Sequence, residues 1–275
     1  MRRKFEGETA MRFSVATELV YRFAAPCEVL LLVEAARTPR QRLLSERWTA
    51  PDACTLSRFE DPATGERRAF ADCQGDVALT YAAEVEIDPQ DQDFLGRPET
   101  RVRELSADVL PYLRPSRYCP SDRFERLAQR RFGHLRGGDK VAAILAFVGE
   151  HLTYEAGSSN SSSTALDTLI DASGVCRDYA HLTISLCRAA DIPARAVSAY
   201  AWRLDPPDLH AVVEVYLDGR WWLTDPTGLA PVEGLIRVAS GRDAADIAFM
   251  HIFGRADLLA QSFQVTRLED LAAVA

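Results

Sequence analysis

GVCRDYAHLTISLCRAA, residues 174–190, and HAVVEVYLDGRWWLTDPT, residues 210–227, decide how this chain is read. In the first stretch a Gly-containing turn, Ser173-Gly174-Val175, opens directly into an unbroken helical pattern that runs to Ala190. Cys176 therefore falls at a helix N-terminus, where unpaired N–H groups favour negative charge. A thiolate is the attacking form of cysteine, and the same amides suit the oxyanion that forms when a carbonyl is attacked. Taken alone, a cysteine here is equally consistent with a small buried residue at a helix start.

The second stretch breaks that tie. Asp218-Gly219 is a strong two-residue turn signal between the strand-like runs Leu209 to Leu217 and Arg220 to Thr224. A two-residue turn sets Leu217 against Arg220, Val215 against Trp222, Val213 against Thr224 and Val212 against Asp225. His210 then shares a face with Val212 and lies diagonal to Asp225. Diagonal neighbours are about 7–8 Å apart by Cα, within reach of an imidazole–carboxylate hydrogen bond. A carboxylate so placed fixes the tautomer of the ring and stabilises its cation. Each residue alone has a plainer reading, His210 as a satisfied strand-end histidine and Asp225 as a turn former before Pro226-Thr227-Gly228. Their joint placement downstream of Cys176 favours a catalytic set of Cys176, His210 and Asp225.

Other candidates are weaker. His181 is five residues after Cys176, about 140° round the helix, and so points away from the thiol. Cys187 lies on nearly the same side as Cys176 but three turns on, a core position. Asp178 in the first turn is a partner for the helix dipole. Asp205 and Asp208, in the Pro-rich stretch Leu204-Asp205-Pro206-Pro207, are placed to border a cleft. His134, His151 and His251 have no derivable carboxylate partner.

The first hundred residues read as β-rich. Runs at Arg12 to Phe23, Val29 to Glu34, Ala69 to Cys73 and Asp76 to Ile87 are separated by turn signals at Ala25-Pro26, Asp61-Pro62 with Thr64-Gly65, and Gln74-Gly75-Asp76. Val77, Leu79, Tyr81, Ala83, Val85 and Ile87 alternate along one strand face. The expected product is an antiparallel β-sandwich-like domain over residues 1–110, residues 1–10 being a disordered extension. A second domain covers 111–275. Within it, Ser121-Asp122 opens a helix to Arg131, Asp139 is an N-cap for the apolar face Val141, Ile144, Leu145, Val148 and Leu152, and Thr164 with Asp167 forms a capping box. Strands follow at Ala194 to Trp202 and in the hairpin. The fold class is α+β.

Composition narrows the function. With 275 residues, 47% hydrophobic and 26% charged, the chain is a folded globular protein. A net charge of −8 argues against nucleic acid and anionic membrane as partners. The Arg-rich stretch from Arg114 to Arg136 is interleaved with acids and reads as a solvated face. No run approaches the ~20 apolar residues of a bilayer span, and no signal-peptide core follows the basic start, which places the chain in the cytoplasm. The six cysteines carry no CxxC or Cys/His metal spacing, and no calcium-loop pattern is present, so no metal or other cofactor is expected.

The stretches GVCRDYAHLTISLCRAADIPARAVSAY (174–200) and HAVVEVYLDGRWWLTDPT (210–227) resemble the transglutaminase-like superfamily of papain-like enzymes, with Cys, His and Asp in the family's order. The tail from Ile236 to Asp246 and the segment YLRPSRYCPSDRF, Tyr112 to Phe124, are similar to its bacterial branch, and the β-rich region from residue 11 to about residue 100 resembles that branch's N-terminal part. The resemblance implies a helix bearing Cys176 packed on an antiparallel sheet that holds His210 and Asp225. It also implies acyl transfer through a thioester on a peptide, protein or other amide-containing substrate. Hydrolysis, as in a cysteine protease or amidase, is favoured because water needs no acceptor site. Amine-accepting cross-linking and a catalytically silent binding module are the alternatives. Many relatives place Trp after the His, where this chain has Ala211 and Val212, a difference that bears on the cleft. Tyr154 or a group in the Ser158 to Ser163 loop is the expected second oxyanion donor.

Overall fold

Alternation of inward and outward side chains continues through residues 11–31, and this period of two makes them a single strand, β1 (Met11–Leu31). The computed structural model describes residues 10–52, 54–88 and 93–268; of the extension expected over 1–10, only Ala10 is among them. After β1 come β2 (Gln41–Thr49), β3 (Thr55–Glu60) and β4 (Arg67–Ile87). The expected breaks at Ala25-Pro26 and Gln74-Gly75 are not turns. Instead, β1 and β4 stay paired antiparallel from one end to the other, and the register shifts between Phe23 and Cys27. Pro26 has no N–H to give the ladder, so three residues of β1 bulge opposite Gln74.

Two short strands flank each long one. β2 and β3 pair end to end with β4. On the other side, β11 (Met250–Phe253) and β12 (Ala256–Arg267) pair end to end with β1. Residues 250–267, well beyond residue 110, thus complete the N-terminal sheet. Phe13, Val15, Leu19 and Phe23 point inward with Val77, Leu79, Tyr81 and Val85, the face that alternation predicted. Burying each such large side chain contributes about 1.5–3 kcal/mol.

Between these parts lie α1 (Glu125–Phe132), α2 (Gly137–His151), β5 (Thr153–Tyr154), α3 (Ala165–Asp171), β6 (Ser173–Gly174) and α4 (Cys176–Ala189). A second antiparallel sheet, in the order β10-β7-β8-β9, comprises β7 (Ala194–Ala201), β8 (Leu209–Leu217), β9 (Arg220–Thr224) and β10 (Leu235–Gly241). A short helix, α5 (Ala244–Ile247), leads back to β11. The architecture is α+β with antiparallel sheets, as expected.

Asp139 is not an N-cap. α2 begins two residues earlier, because Gly137 adopts φ +50° and a Cβ on Gly138 would come within 1.7 Å of the Phe94 carbonyl oxygen. Only glycine permits that approach. The Asp139 carboxylate instead accepts from Gly96 N at 3.1 Å. The capping box of Thr164 and Asp167 forms as expected.

α4 is the centre of the second half. Every residue from Asp178 to Arg188 is buried, and the helix packs on β7 and β8 with α1, α2 and α3 around it. Its Arg188 binds the carbonyls of Ala194, Arg114 and Arg242 at 3.0, 3.0 and 2.6 Å. That one side chain holds the linker and the end of β10 against the helix. The two sheets share a core across Tyr200, whose hydroxyl donates to Val33 O at 2.7 Å. Gln41 exchanges two 2.8 Å hydrogen bonds with the backbone of Arg237.

Candidate active site

β5 and β6 form a two-stranded parallel pair just ahead of α4. It brings Tyr154 alongside Gly174 and fixes the chain as it turns into the helix. The Asp178 carboxylate, fully buried, reaches back to accept from Val175 N at 2.9 Å and from Ser159 Oγ at 2.5 Å. Arg177 adds contacts to Ser159 Oγ at 2.9 Å and Asn160 O at 3.1 Å. Cys176, half-buried, begins the helix thus anchored. Asp178 does more than face the helix dipole: it locks the loop and the helix start together.

The hairpin takes the register that its turn dictates, with Leu217 opposite Arg220, Val215 opposite Trp222 and Val213 opposite Thr224. Asp218 and Gly219 both have positive φ, +50° and +75°, as a two-residue hairpin turn of this hand requires. Asp225 follows β9 directly and meets His210 diagonally. His210 Nε2 lies 2.9 Å from Asp225 Oδ2, with only 1% of the imidazole and 2% of the carboxylate exposed. The carboxylate is itself held: Ala230 N donates to Oδ2 at 3.1 Å, and Thr227 N and Oγ1 donate to Oδ1 at 3.0 and 2.8 Å.

With Nε2 turned to Asp225, the other ring nitrogen, Nδ1, is buried without a hydrogen bond. The Cys176 side chain is close enough to act on the ring. Burial alone pushes the imidazole pKa down, but the hydrogen bond and charge of Asp225, with the nearby Cys176 sulfur, outweigh it and raise it to about 9. Burial likewise works to raise the Asp225 carboxyl, and His210 with Thr227 brings it below its ordinary value. Sulfur, imidazole and carboxylate, from three separate segments, converge at one place.

Tyr154 stands beside Cys176, where its hydroxyl interacts with both the amide and the sulfur of that residue. Partial burial and the neighbouring sulfur push the phenol up to about 12, so it stays protonated as a donor. Of the candidates for second oxyanion donor, Tyr154 lies beside Cys176; in the Ser158 to Ser163 loop, the Ser159 hydroxyl donates to Asp178. Asp208 lies two residues before His210, and burial of its carboxyl pushes its pKa up. His181 faces elsewhere, stacked on Tyr118 at 5.2 Å with Nε2 accepting from Ala244 N at 3.1 Å. Desolvation lowers its pKa to about 4, so it is a neutral core residue. Cys187 is fully buried. Thr227, which holds both Asp225 and the edge of His210, was not singled out in the sequence, where it reads only as part of a turn.

Among the described residues no cluster of His, Cys, Asp or Glu could hold a metal ion, and no helix is long and apolar enough to cross a membrane. A cavity of about 490 Å³ opens between the two sheets, away from Cys176, His210 and Asp225. Its buried Glu214 is already paired with Arg195 and Arg237.

The sequence profile of the transglutaminase-like superfamily matches residues 126–226, a span that contains all three convergent residues. The crystal structure of a candidate cysteine protease from Cytophaga hutchinsonii superposes with a TM-score of 0.88 at 35% identity, covering 95% of this chain and 92% of that one. This chain belongs to the transglutaminase-like superfamily. An uncharacterised protein of Mycobacterium leprae is 33% identical over 149 residues, which are 50% of this chain and 52% of that protein. The chain thus matches about half the length of that curated relative. The periplasmic domain of TgpA from Pseudomonas aeruginosa is 17% identical, with a TM-score of 0.40 over 79% of this chain and 87% of that domain. As a member of the superfamily the chain has the papain-like arrangement of a Cys-bearing helix, α4, against an antiparallel sheet, here β7 to β10.

Proposed function

We propose that this chain is a thiol-dependent acyl-transfer enzyme that hydrolyses amide or peptide bonds. Cys176 is the nucleophile, His210 the general base and acid, and Asp225 the group that orients the imidazole. The observation that carries this reading is the hydrogen bond from Nε2 of His210 to Asp225, which leaves Nδ1 for the sulfur and the leaving group.

In the first half-reaction the Cys176 thiolate attacks the amide carbonyl carbon. The developing oxyanion is met by the Cys176 amide and the Tyr154 hydroxyl, both fixed before substrate arrives. As the C–N bond breaks, His210 Nδ1–H protonates the departing amine, and a thioester remains on Cys176. In the second half-reaction neutral Nδ1 takes a proton from water, whose oxygen attacks the thioester and releases the carboxylic acid and the thiol. Asp225 stays ionised throughout and stabilises the imidazolium at each stage.

The substrate is a peptide, protein or other amide-bearing molecule, with neither nucleic acid nor a membrane as partner. The cytoplasm is the proposed location, supported by six cysteines that are all free thiols.

Labelling tests the reading. Iodoacetamide at pH 6 is expected to modify Cys176 faster than the other five thiols, and Cys176→Ala is expected to abolish hydrolysis of a generic amide substrate while leaving the circular dichroism spectrum intact. Uniformly slow labelling would support a silent binding module. Incorporation of a primary amine without matching hydrolysis would replace the hydrolase with a cross-linking transferase.

A further inference from the structure

Three of the remaining cysteines form a row across the N-terminal sheet. Cys27 on β1 and Cys73 on β4 are register partners. Cys54 precedes Thr55, which faces Asp72, so it lies against the other side of Cys73. All three side chains are buried, and Cys54 Sγ is 3.6 Å from Cys73 Sγ. Facing residues on paired antiparallel strands have Cα atoms about 4.5–5.5 Å apart, inside the range that a disulfide tolerates. Closing the sulfurs to the ~2.05 Å of a covalent bond needs side-chain rotation and little backbone movement.

We propose that Cys54 and Cys73 are an oxidisable dithiol, which a low-molecular-weight disulfide of the glutathione class converts into an intramolecular disulfide. The Cys54 thiolate attacks one sulfur of the oxidant, the oxidant's S–S bond breaks, and one glutathione thiolate leaves. The Cys73 sulfur then displaces the second glutathione from the mixed disulfide on Cys54. The protein loses two hydrogens and two electrons, and the oxidant becomes two thiols.

Cys54 is the better placed to attack first. Burial raises both thiols, but an S–H of Cys73 can donate to a Cys54 thiolate and moderates the rise there, whereas burial and Cys54 together push Cys73 up to about 12. Formation is therefore slow at neutral pH and rises about tenfold per pH unit below the Cys54 pKa, because the thiolate is the reacting species. The bond would fasten the lead-in of the flanking strand β3 to the central strand β4.

Peptide mapping tests this. The full-length protein is incubated with oxidised glutathione at pH 8, alkylated with iodoacetamide in denaturant and digested with trypsin without reductant. Cleavage after Arg37, Arg58 and Arg68 puts the three cysteines on separate peptides. The expected product joins the Cys54 and Cys73 peptides, is two hydrogens lighter than their sum, and is lost on adding dithiothreitol. It persists in Cys27→Ser and is absent from Cys54→Ser; should that second variant fail to fold, the map of the unaltered protein decides. Recovery of Cys54 and Cys73 as separate alkylated or glutathionylated peptides, or a link from Cys73 to Cys27, would overturn the proposal.

Discussion

Replacing Asp225 with alanine removes the hydrogen bond and the negative charge that hold His210, and the size of the effect follows from the ring's pKa. The imidazole rises from 6.5 to about 9 although burial opposes the rise. At about 1.36 kcal/mol per tenfold change, this corresponds to roughly 3.4 kcal/mol in favour of the cation. Asp225 is the first of the groups that raise it, and a carboxylate this close typically accounts for about one to three pH units. In Asp225→Ala the His210 titration, followed by long-range 1H–15N NMR from pH 5 to 10, should fall by that amount. Amide hydrolysis should drop on the order of 10³-fold or more, as when a triad loses its orienting carboxylate. Stability carries the same signature. Because the folded pKa is raised, the His210 contribution is complete below about pH 6.5 and is lost as pH rises through about 9. The difference in urea stability between the parent and Asp225→Ala should therefore shrink across that window. A His210 midpoint that stays near 9 in the variant would refute the pairing as the source of the shift.

Other perturbations separate chemistry from scaffold. Tyr154→Phe removes only the hydroxyl and should lower kcat on the order of 10²-fold with KM little changed; an unaltered kcat would remove Tyr154 from the oxyanion site. Thr227→Val deletes the 2.8 Å hydrogen bond to Asp225 Oδ1, worth about 1 kcal/mol, and should cost about fivefold in kcat/KM without changing the fold. Asp178→Ala removes a fully buried carboxylate and leaves Val175 N, Ser159 Oγ and Arg177, all half-buried, without that partner, and should cost about 2–4 kcal/mol by urea denaturation. A loss below about 0.5 kcal/mol would mean that the helix start does not depend on it.

What could be read in the sequence was local. The hairpin register, and with it the diagonal of His210 and Asp225, follows from one Asp-Gly turn, and the site helix from its spacing. What escaped depends on distant partners. Ala25-Pro26 and Gly75 carry turn signals, yet β1 and β4 pair through them, because two long matching apolar faces outweigh a local break that a bulge can absorb. Asp139 has the right residue type for an N-cap, but the close approach of Gly137 and Gly138 to the segment around Phe94 and Arg97 starts the helix earlier. Nothing in residues 250–267 names β1 as their partner, since an alternating strand fits any compatible edge. Thr227 matters through bonds to a neighbour two residues back, which only the folded loop reveals.

The ladder from Phe13 through Phe23 to Arg267 through Ala256 spans nearly the whole sequence. During synthesis, the outer row of amide and carbonyl groups on β1 must wait, unmatched, while more than two hundred residues are added. Until β12 arrives, that margin is open to any other extended chain nearby, including an unfinished copy of the same protein. Closure of the sheet is thus a late, long-range event, and it favours slow folding with a nascent chain in need of shelter.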